Sequence, residues 1–223
     1  MIGRSQDGDG RSLPRVSRVP PDGTDRPARG RVGYDAAALL QVAVEVFRVR
    51  GYDGSSISEL ARAAGISKAA IYHHFSGKEE ILRAAVTRAL DRLFLVLEER
   101  GAIDGPVGDR VAHVVRRTTA VLIEELPYVT VLLRVRGNTA TERWAIGKRR
   151  EFDRRVTAMV SEAAIAGELR QDLDPHLATR LIFGMVNSLI EWYRPTPGES
   201  PQAFSDVVAE LAMGGLRRGR SVL

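Results

Sequence analysis

What the sequence lacks already removes several classes of protein. It contains no cysteine, which excludes disulfide bonds and thiolate metal sites. No apolar run approaches the roughly 20 residues that span a bilayer, and the first residues lack the apolar segment of a signal peptide. There is no internal repeat either. We therefore expect a cytoplasmic protein with no membrane partner.

Residues that would support catalysis or metal binding are also missing. The four histidines are His73, His74, His113 and His176. None pairs with a carboxylate or a second histidine at a metal-binding or acid–base spacing that an amphipathic helix would not produce by chance. Gly77 and Lys78 lack the rest of a phosphate-binding loop. We predict that the protein is not an enzyme and uses no metal or cofactor.

The composition is nevertheless that of a folded protein. A chain of 223 residues with 44% apolar content can bury a full core, as one larger domain or two small ones. Lysine and arginine number 33 against 28 acidic residues, which gives a formal charge of +5. A positive charge suits an anionic partner, although it does not by itself identify one.

Residues 56–82 have the pattern of two short helices, a tight turn between them and the start of a third helix. Ser56 and Glu59 form a capping box at the first helix. Gly65 can take the left-handed conformation that ends this helix, and Ser67 can cap the next one. Apolar side chains at helical spacing predict the buried side, namely Ile57, Leu60, Ala61 and Ala64. The spacing is that of a helix-turn-helix.

Two lysines stand where helices begin. Lys68 opens the second helix, and Lys78 lies in the first turn of a long helix that a second capping box, Ser76 with Glu79, is predicted to open. A cation in the first turn opposes the helix macrodipole and costs about 0.3–1 kcal/mol. Because stability does not explain such a placement, we interpret both lysines as contacts to an anion such as a phosphate.

The second helix, predicted over 68–75, has an inward and an outward side. Ile71 and Phe75 point inward, whereas Ala69, Tyr72 and His73 point outward. Alanines let a helix approach the major groove closely, and the tyrosine and histidines can reach phosphates or base edges. The predicted DNA-binding residues are Ser56, Ser58, Ser67, Lys68, Ala69, Ala70, Tyr72, His73, His74 and Lys78.

Residues 33–82 resemble the N-terminal domain of TetR-family transcriptional regulators. The matching residues are Phe47, Gly51, Tyr52, Ile57, Leu60, Ala61, Ala64, Gly65, Ile66, Ser67, Ile71, Tyr72, His74, Phe75, Lys78 and Leu82. The resemblance implies an all-α homodimer: a three-helix DNA-binding head with a helix-turn-helix, and a larger helical domain for ligand binding and dimerisation. Ala69 replaces the glycine or proline of many members, which we expect to alter operator preference rather than fold.

We accordingly divide the chain into three parts: residues 1–32, 33–80 and 81–223. The first is rich in Arg, Asp, Gly, Pro and Ser, so we predict a disordered N-terminal arm. It is either a solvated tail or an arm that lays Arg26, Arg29 and Arg31 along the minor groove or backbone. The second part is the DNA-binding head and the third is the effector-binding and dimerisation body. The resemblance implies that a long helix over 76–99 acts as a lever between them.

In this family the ligand pocket lies in the core of the body. The candidate effector-binding residues are Phe94, Val121, Leu122, Leu133, Trp144, Phe152, Met159, Phe183 and Asn187. Trp144, Phe152 and Met159 also fit ordinary core packing. Asn187 lies in an apolar helix, where its amide needs a partner: either a ligand carbonyl or the backbone of its own or the partner subunit.

A basic cluster on the helix predicted from 139 or 141 to 168 leaves two interpretations open. Its members are Lys148, Arg149, Arg150, Arg154 and Arg155, interleaved with Glu151 and Asp153. The cluster is either a solvated side with local ion pairs or a basic rim that receives a ligand phosphate.

The last two predicted helices are apolar on more than one side. Asp174 caps the first of them and Pro175 follows, and Ser200 and Pro201 start the second. Two adjacent apolar helices indicate a self-complementary, two-fold four-helix dimer interface, which the family resemblance also implies. The predicted interface residues are Leu181, Met185, Leu189, Phe204, Val208 and Leu211.

Residues 167–195 resemble, more loosely, regulators of fatty-acid, steroid-ring and phenylacetate catabolism, whose effectors are acyl-CoA thioesters. We therefore expect a repressor that binds a palindromic double-stranded DNA operator as a homodimer and is released by a small hydrophobic effector such as an acyl-CoA thioester. A drug-sensing repressor of an efflux gene is one alternative and would have a closed aromatic pocket instead of a basic pocket mouth. An architectural DNA-binding protein without effector is another, and would have a solid body. An enzyme on a helical scaffold is a third.

Overall fold

The computed structural model describes residues 35–194, 196, 198 and 200–217, and over these residues the fold is all-α, as predicted. Ten helices make up this part of the chain: α1 Ala36–Arg50, α2 Ile57–Ala64, α3 Lys68–His74, α4 Lys78–Val96, α5 Arg100–Ile103, α6 Val107–Glu124, α7 Leu126–Arg134, α8 Ala140–Ile165, α9 Pro175–Trp192 and α10 Pro201–Leu216. No described helix is long and apolar enough to cross a membrane. The predicted arm, with Arg26, Arg29 and Arg31, lies outside the described residues, as do Pro195 and Pro197.

Helices α1 to α3 form the head. Asp35 caps α1 through the N–H of Ala38, and Gly51 ends this helix at φ +77°. The core between the three helices is apolar and fully or almost fully buried, and consists chiefly of Leu39, Phe47, Leu60 and Ile71. α1 therefore braces the helix-turn-helix, and α2 and α3 keep their outer sides free.

Helix α4 runs from the head into the body without a break. Leu82, near its start, is buried in the head core, and Leu90, two turns on, is buried in the body. The predicted boundary between residues 80 and 81 thus falls inside the first turn of α4. The helix ends at Val96, three residues before the predicted end, and the short helix α5 follows it.

The body is a bundle in which α6 packs against α8 and α10, and α8 packs against α9. Local capping rules place the helix starts. Thr139 caps α8 in a capping box with Glu142, and Asp174 and Ser200 cap α9 and α10 as predicted. The bundle leaves a cavity, open to solvent, between α4, α6, α7, α8 and α9.

Candidate functional site

The turn between α2 and α3 sets the direction of α3. Gly65 ends α2 in the left-handed conformation at φ +67°. Ser67 caps α3 by accepting a hydrogen bond from the Ala70 N–H at 3.2 Å. The predicted capping box of α2 is confirmed, because the Ser56 and Glu59 side chains accept hydrogen bonds from each other's backbone N–H groups. Each cap of this kind contributes about 1 kcal/mol to its helix.

Helix α3 turns one side to the head core and the other to solvent. Ile71 is fully buried and Phe75 is 8% exposed, whereas Tyr72 is 54% exposed. Of the other predicted DNA-binding residues, the exposed ones are Ser56, Ser67, Lys68, Ala69 and His73, and the half-buried ones are Ser58, Ala70, His74 and Lys78. The outer side of α3 therefore offers hydroxyl, imidazole, ammonium and methyl groups to a surface that approaches it.

The ammonium group of Lys78 makes its contacts within the protein. Its ammonium group donates hydrogen bonds to the carbonyl oxygens of Tyr52 and Ser55, both at 2.9 Å, and lies 4.2 Å from the centre of the Tyr52 ring. These contacts account for a cation in the first turn of α4 without an anion. Our interpretation that stability does not explain this lysine is therefore wrong, although one of its three N–H donors is left for a phosphate.

The second predicted capping box, of Ser76 and Glu79, is also wrong. The N-cap of α4 is Gly77, which has no side chain with which to cap. Glu80 accepts a hydrogen bond from the Ser76 N–H in place of Glu79. Glu79 instead accepts one from the Thr141 N–H, at 3.0 Å, and hydrogen bonding with Thr141 lowers the pKa of its carboxyl group. Glu79 thus joins the head to the start of α8.

The body contains a cavity of about 590 Å³ whose walls differ in character. Its apolar lining residues are Leu90, Leu93, Leu122, Val129, Leu132, Leu133, Phe152 and Phe183. Its charged lining residues are Arg149, Arg150 and Asp153 on α8, and His176 and Arg180 on α9. Its uncharged polar lining residues are Thr118, Thr157, Thr179 and Asn187. All charged groups of the lining therefore come from α8 and α9, and α4, α6 and α7 supply the opposite, mainly apolar wall.

Five of the nine candidate effector-binding residues line this cavity, and they are Leu122, Leu133, Phe152, Phe183 and Asn187. Asn187 is half-buried rather than deeply embedded, and its amide makes no hydrogen bond with the described part of the chain. A ligand or a partner subunit therefore remains available as its hydrogen-bond partner.

The other four candidates, Phe94, Val121, Trp144 and Met159, lie outside the cavity lining. Phe94 packs edge-on against Phe152, with 5.8 Å between ring centres. Val121 is only 1% exposed and points into the core, about 100° around α6 from Leu122. The guanidinium group of Arg83 covers the Trp144 ring at 3.3 Å, and Met159 lies two turns of α8 beyond Phe152. These residues support the cavity walls or the core.

Some members of the basic cluster of α8 fit the first of its two interpretations, and others fit the second. Lys148 pairs with Glu151 at 2.8 Å, and Arg155 pairs with Glu98 at 3.1 Å, so both belong to a solvated side with local ion pairs. Arg149 and Arg150 line the cavity as a basic rim would. The cluster therefore contributes two of the three arginines in the cavity wall, and the third is Arg180 of α9.

The charged residues of the cavity wall differ in exposure: Arg149 is half-buried, whereas Arg150, His176 and Arg180 are exposed. Burial lowers the pKa of Arg149 and raises the pKa of Asp153. The positive charges of Arg149, His176 and Arg180 oppose the shift of Asp153. Three arginines face one aspartate, so the wall has a net positive charge even when the histidine is neutral.

Sequence reasoning missed His176 and Arg180 as cavity residues, although a signal for them exists. They stand four residues apart on α9, and Phe183 and Asn187 continue the same line at helical spacing. A mixed polar and aromatic line on one side of an otherwise apolar helix is the pattern that identifies this wall. Thr118, also missed, carries the one buried side-chain oxygen of the described residues that has no hydrogen-bond partner.

Side-chain hydrogen bonds connect the head with α7 and with the turn between α7 and α8. Besides Glu79, Arg134 at the end of α7 donates to the Arg48 carbonyl of α1 at 3.0 Å and to the Glu191 carboxylate of α9 at 3.2 Å. Asn138 donates to the Asp53 carboxylate at 3.0 Å. The position of the head therefore depends on α7, α8 and α9, all of which line the cavity.

The predicted dimer interface needs correction. Leu181, Met185 and Leu211 are 60%, 36% and 66% exposed, but Leu189 and Val208 are only 2% and 7% exposed. These last two pack inside the subunit, because α9 and α10 each use one apolar side for their own core, and Phe204 is half-buried against Tyr193 and Trp192. The exposed apolar side that sequence reasoning missed consists of Leu177, Trp192 and Val207.

The chain matches known families along most of the described length. Residues 39–85 match the bacterial regulatory proteins of the tetR family, and residues 104–216 match the tetracyclin repressor-like C-terminal domain. The second match alone spans half of the chain. Together with the helix-turn-helix head and the helical body, these matches establish that the chain belongs to the TetR family of transcriptional regulators.

Similar proteins of this family are known in sequence and structure. The crystal structure of a TetR-family regulator from Streptomyces coelicolor A3 is 58% identical, covers 81% of this chain and 91% of its own, and has a TM-score of 0.76. The fatty acid metabolism regulator protein of Bacillus subtilis (strain 168) is 25% identical over 181 residues, which are 80% of this chain and 93% of its own. AibR, crystallised with isovaleryl coenzyme A and operator DNA, is 22% identical, covers 79% of this chain and 96% of its own, and shares the fold with a TM-score of 0.67.

Proposed function

We propose that this TetR-family regulator is a repressor that binds a palindromic operator as a homodimer and that an acyl-CoA thioester releases it from DNA. The observation that carries the effector class is the cavity, which combines an apolar wall with a wall of three arginines. An acyl chain matches the first wall, and the phosphates of coenzyme A match the second.

The outer side of α3 supports the DNA-binding part of the proposal. Ala69 lets the helix approach the major groove, and Tyr72 projects far enough to reach a phosphate or a base edge. Lys68 is exposed and makes no hydrogen bond or ion pair with the described residues, so its ammonium group is free for a phosphate. Ser67 keeps its hydroxyl hydrogen while its oxygen caps α3.

The exposed apolar side of α9 and α10 supports the dimer. It is formed by Leu177, Leu181, Met185, Trp192, Val207 and Leu211. Monomeric proteins rarely leave so many large apolar side chains together in water on adjacent helices. A second copy that presents the same side would cover them in an isologous interface.

The cavity also bears on the two alternatives. An effector-free architectural protein does not require a cavity of about 590 Å³ between the helices of its body. A sensor of uncharged lipophilic drugs does not require three arginines in its cavity wall, one of which, Arg149, is half-buried and therefore costly without an anion. The similarity to a fatty acid metabolism regulator and to AibR, which was crystallised with isovaleryl coenzyme A, favours an acyl-CoA effector as well.

Operator binding followed by effector titration tests this proposal. We expect octanoyl-CoA, at fixed salt, to release the operator, and free octanoate and uncharged methyl octanoate not to do so. Arg180→Gln should weaken the response. Arg155→Gln is the matched control, because it removes the same charge from a residue that pairs with Glu98 outside the cavity. Release by uncharged compounds alone would favour the drug sensor, and no release by any compound would favour the architectural protein.

A further inference from the structure

Asp153 is the one acidic side chain among the described residues that line the cavity. It stands one turn after Arg149 on α8, and the charges of Arg149, His176 and Arg180 act on it. No ion pair shorter than 4.0 Å joins it to any of these cations in the described part of the chain. Asp153 therefore shares the charged wall of the cavity with these cations and forms an ion pair with none of them.

A neighbouring carboxylate shows the contrast. Glu151 lies two residues earlier on α8, outside the cavity, and pairs with Lys148 at 2.8 Å. The hydrogen bond from Lys148 lowers the pKa of Glu151, as expected for a carboxylate with a close cationic partner. The two acidic residues of this segment thus have different roles, one in a surface ion pair and one in the cavity wall.

We propose that Asp153 is a built-in counter-charge that competes with the anionic group of the effector for the cavity arginines and thereby sets the effector concentration to which the protein responds. This inference rests on the proposed function, because it assumes an effector with an anionic group.

The charges around the cavity support this role. Arg149, Arg150 and Arg180 repel one another in the cavity wall, and the carboxylate of Asp153 reduces that repulsion. When an anionic group of a ligand enters the cavity, the same cations interact with two anions, and Asp153 repels the anionic group of the ligand. The lining residues of α4, α6 and α7 have no charge with which to compensate, and the remaining titratable group, His176, is on α9.

The size of the effect follows from Coulomb's law. Two like unit charges about 8 Å apart at an effective dielectric constant of about 20–40 repel each other enough to weaken binding about five- to thirtyfold. We therefore expect Asp153→Asn to tighten the binding of an anionic ligand about tenfold. Screening by salt should reduce the difference, because the cavity is open to solvent.

The experiment compares wild type, Asp153→Asn and Glu151→Gln by calorimetric titration in the absence of DNA. Both variants remove one negative charge from α8, but only the first changes the cavity wall. We expect octanoyl-CoA to bind Asp153→Asn about tenfold more tightly than the other two proteins. Methyl octanoate should bind all three alike. Asp153→Ala should act in the same direction, which guards against an effect of the new amide.

Pyrophosphate provides a second measurement that needs no acyl-CoA. It should raise the midpoint of thermal unfolding more in Asp153→Asn than in wild type or Glu151→Gln. If octanoyl-CoA binds none of the proteins but pyrophosphate still stabilises Asp153→Asn more than wild type, the result supports the role of Asp153 as a counter-charge and contradicts the proposed effector class. Equal or weaker binding of octanoyl-CoA and pyrophosphate by Asp153→Asn would overturn the inference.

Discussion

Lys78→Met tests whether the lysine at the start of α4 mainly supports the fold or mainly binds DNA. Methionine keeps an apolar stem against the Tyr52 ring but removes the hydrogen bonds to the carbonyls of Tyr52 and Ser55. A hydrogen bond from a charged group contributes about 1.5–3 kcal/mol, and the half-exposed position reduces this. We expect these two hydrogen bonds together to contribute about 2 kcal/mol to the free energy of unfolding, which Lys78→Met should lose.

Lys68→Met is the matched control, because Lys68 stands in the first turn of α3 without such partners. Removing this cation relieves its conflict with the helix macrodipole, so stability should stay the same or rise by about 0.3–1 kcal/mol. Both variants are compared by urea unfolding at one protein concentration, since the stability of the proposed dimer would depend on concentration. Operator affinity is then measured over a range of salt concentrations.

The two measurements separate the two roles. Lys68→Met should flatten the dependence of operator affinity on salt by about one unit of slope, as for one lost phosphate contact. If Lys78→Met leaves the free energy of unfolding unchanged and flattens the salt dependence by the same amount, the two carbonyls do not explain this lysine. The phosphate interpretation drawn from the sequence would then be correct.

Three other perturbations test separate features of the structure. Thr118→Val removes a buried hydroxyl without a hydrogen-bond partner and should raise the free energy of unfolding in urea by about 1 kcal/mol. Thr119→Val is the control, because it loses a hydrogen bond to the Val115 carbonyl and should not raise the free energy of unfolding. Leu181→Glu puts a charge on the exposed apolar side of α9 and should shift the protein to monomers in sedimentation velocity; an intact dimer would contradict the proposed interface. Burial raises the pKa of Asp153, so its charge is lost earlier than that of an ordinary carboxylate as the pH falls. Octanoyl-CoA should therefore gain affinity for wild type relative to Asp153→Asn on acidification, and an equal pH dependence in calorimetry would contradict this.

The sequence predicts best where the cause is local. The capping residues Ser56, Ser67, Asp174 and Ser200 each accept a hydrogen bond from the N–H group three residues on, and all four cap helices as predicted. The same local rule fails at Ser76, because the structure ends the extended segment one residue later, at Gly77, and aligns Glu80 with the Ser76 N–H.

The cavity and the exposed apolar side were harder to predict because both depend on which way each side of a helix faces. Successive residues on a helix differ by about 100°, so Arg149 can line the cavity while its neighbour Lys148 pairs with Glu151 on the surface. The same uncertainty made Leu189 a candidate for the interface, although it packs inside its own subunit. Composition predicts that such residues are buried or paired, but only the packing decides with what.

Helix α9 brings these surfaces together. Its core side is formed by Ala178, Ile182, Val186 and Leu189. Its cavity side is formed by His176, Arg180, Phe183 and Asn187, and its exposed apolar side by Leu177, Leu181, Met185 and Trp192. Glu191, near its end, is hydrogen-bonded to Arg134, which also holds the Arg48 carbonyl of the head. Because a helix moves as one rigid element, a ligand that displaces the cavity side of α9 also moves the exposed apolar side and pulls on the contact with the head. The proposed coupling between effector and operator therefore does not need a chain of many small changes, since α9 alone has the cavity side, the exposed apolar side and the contact with Arg134.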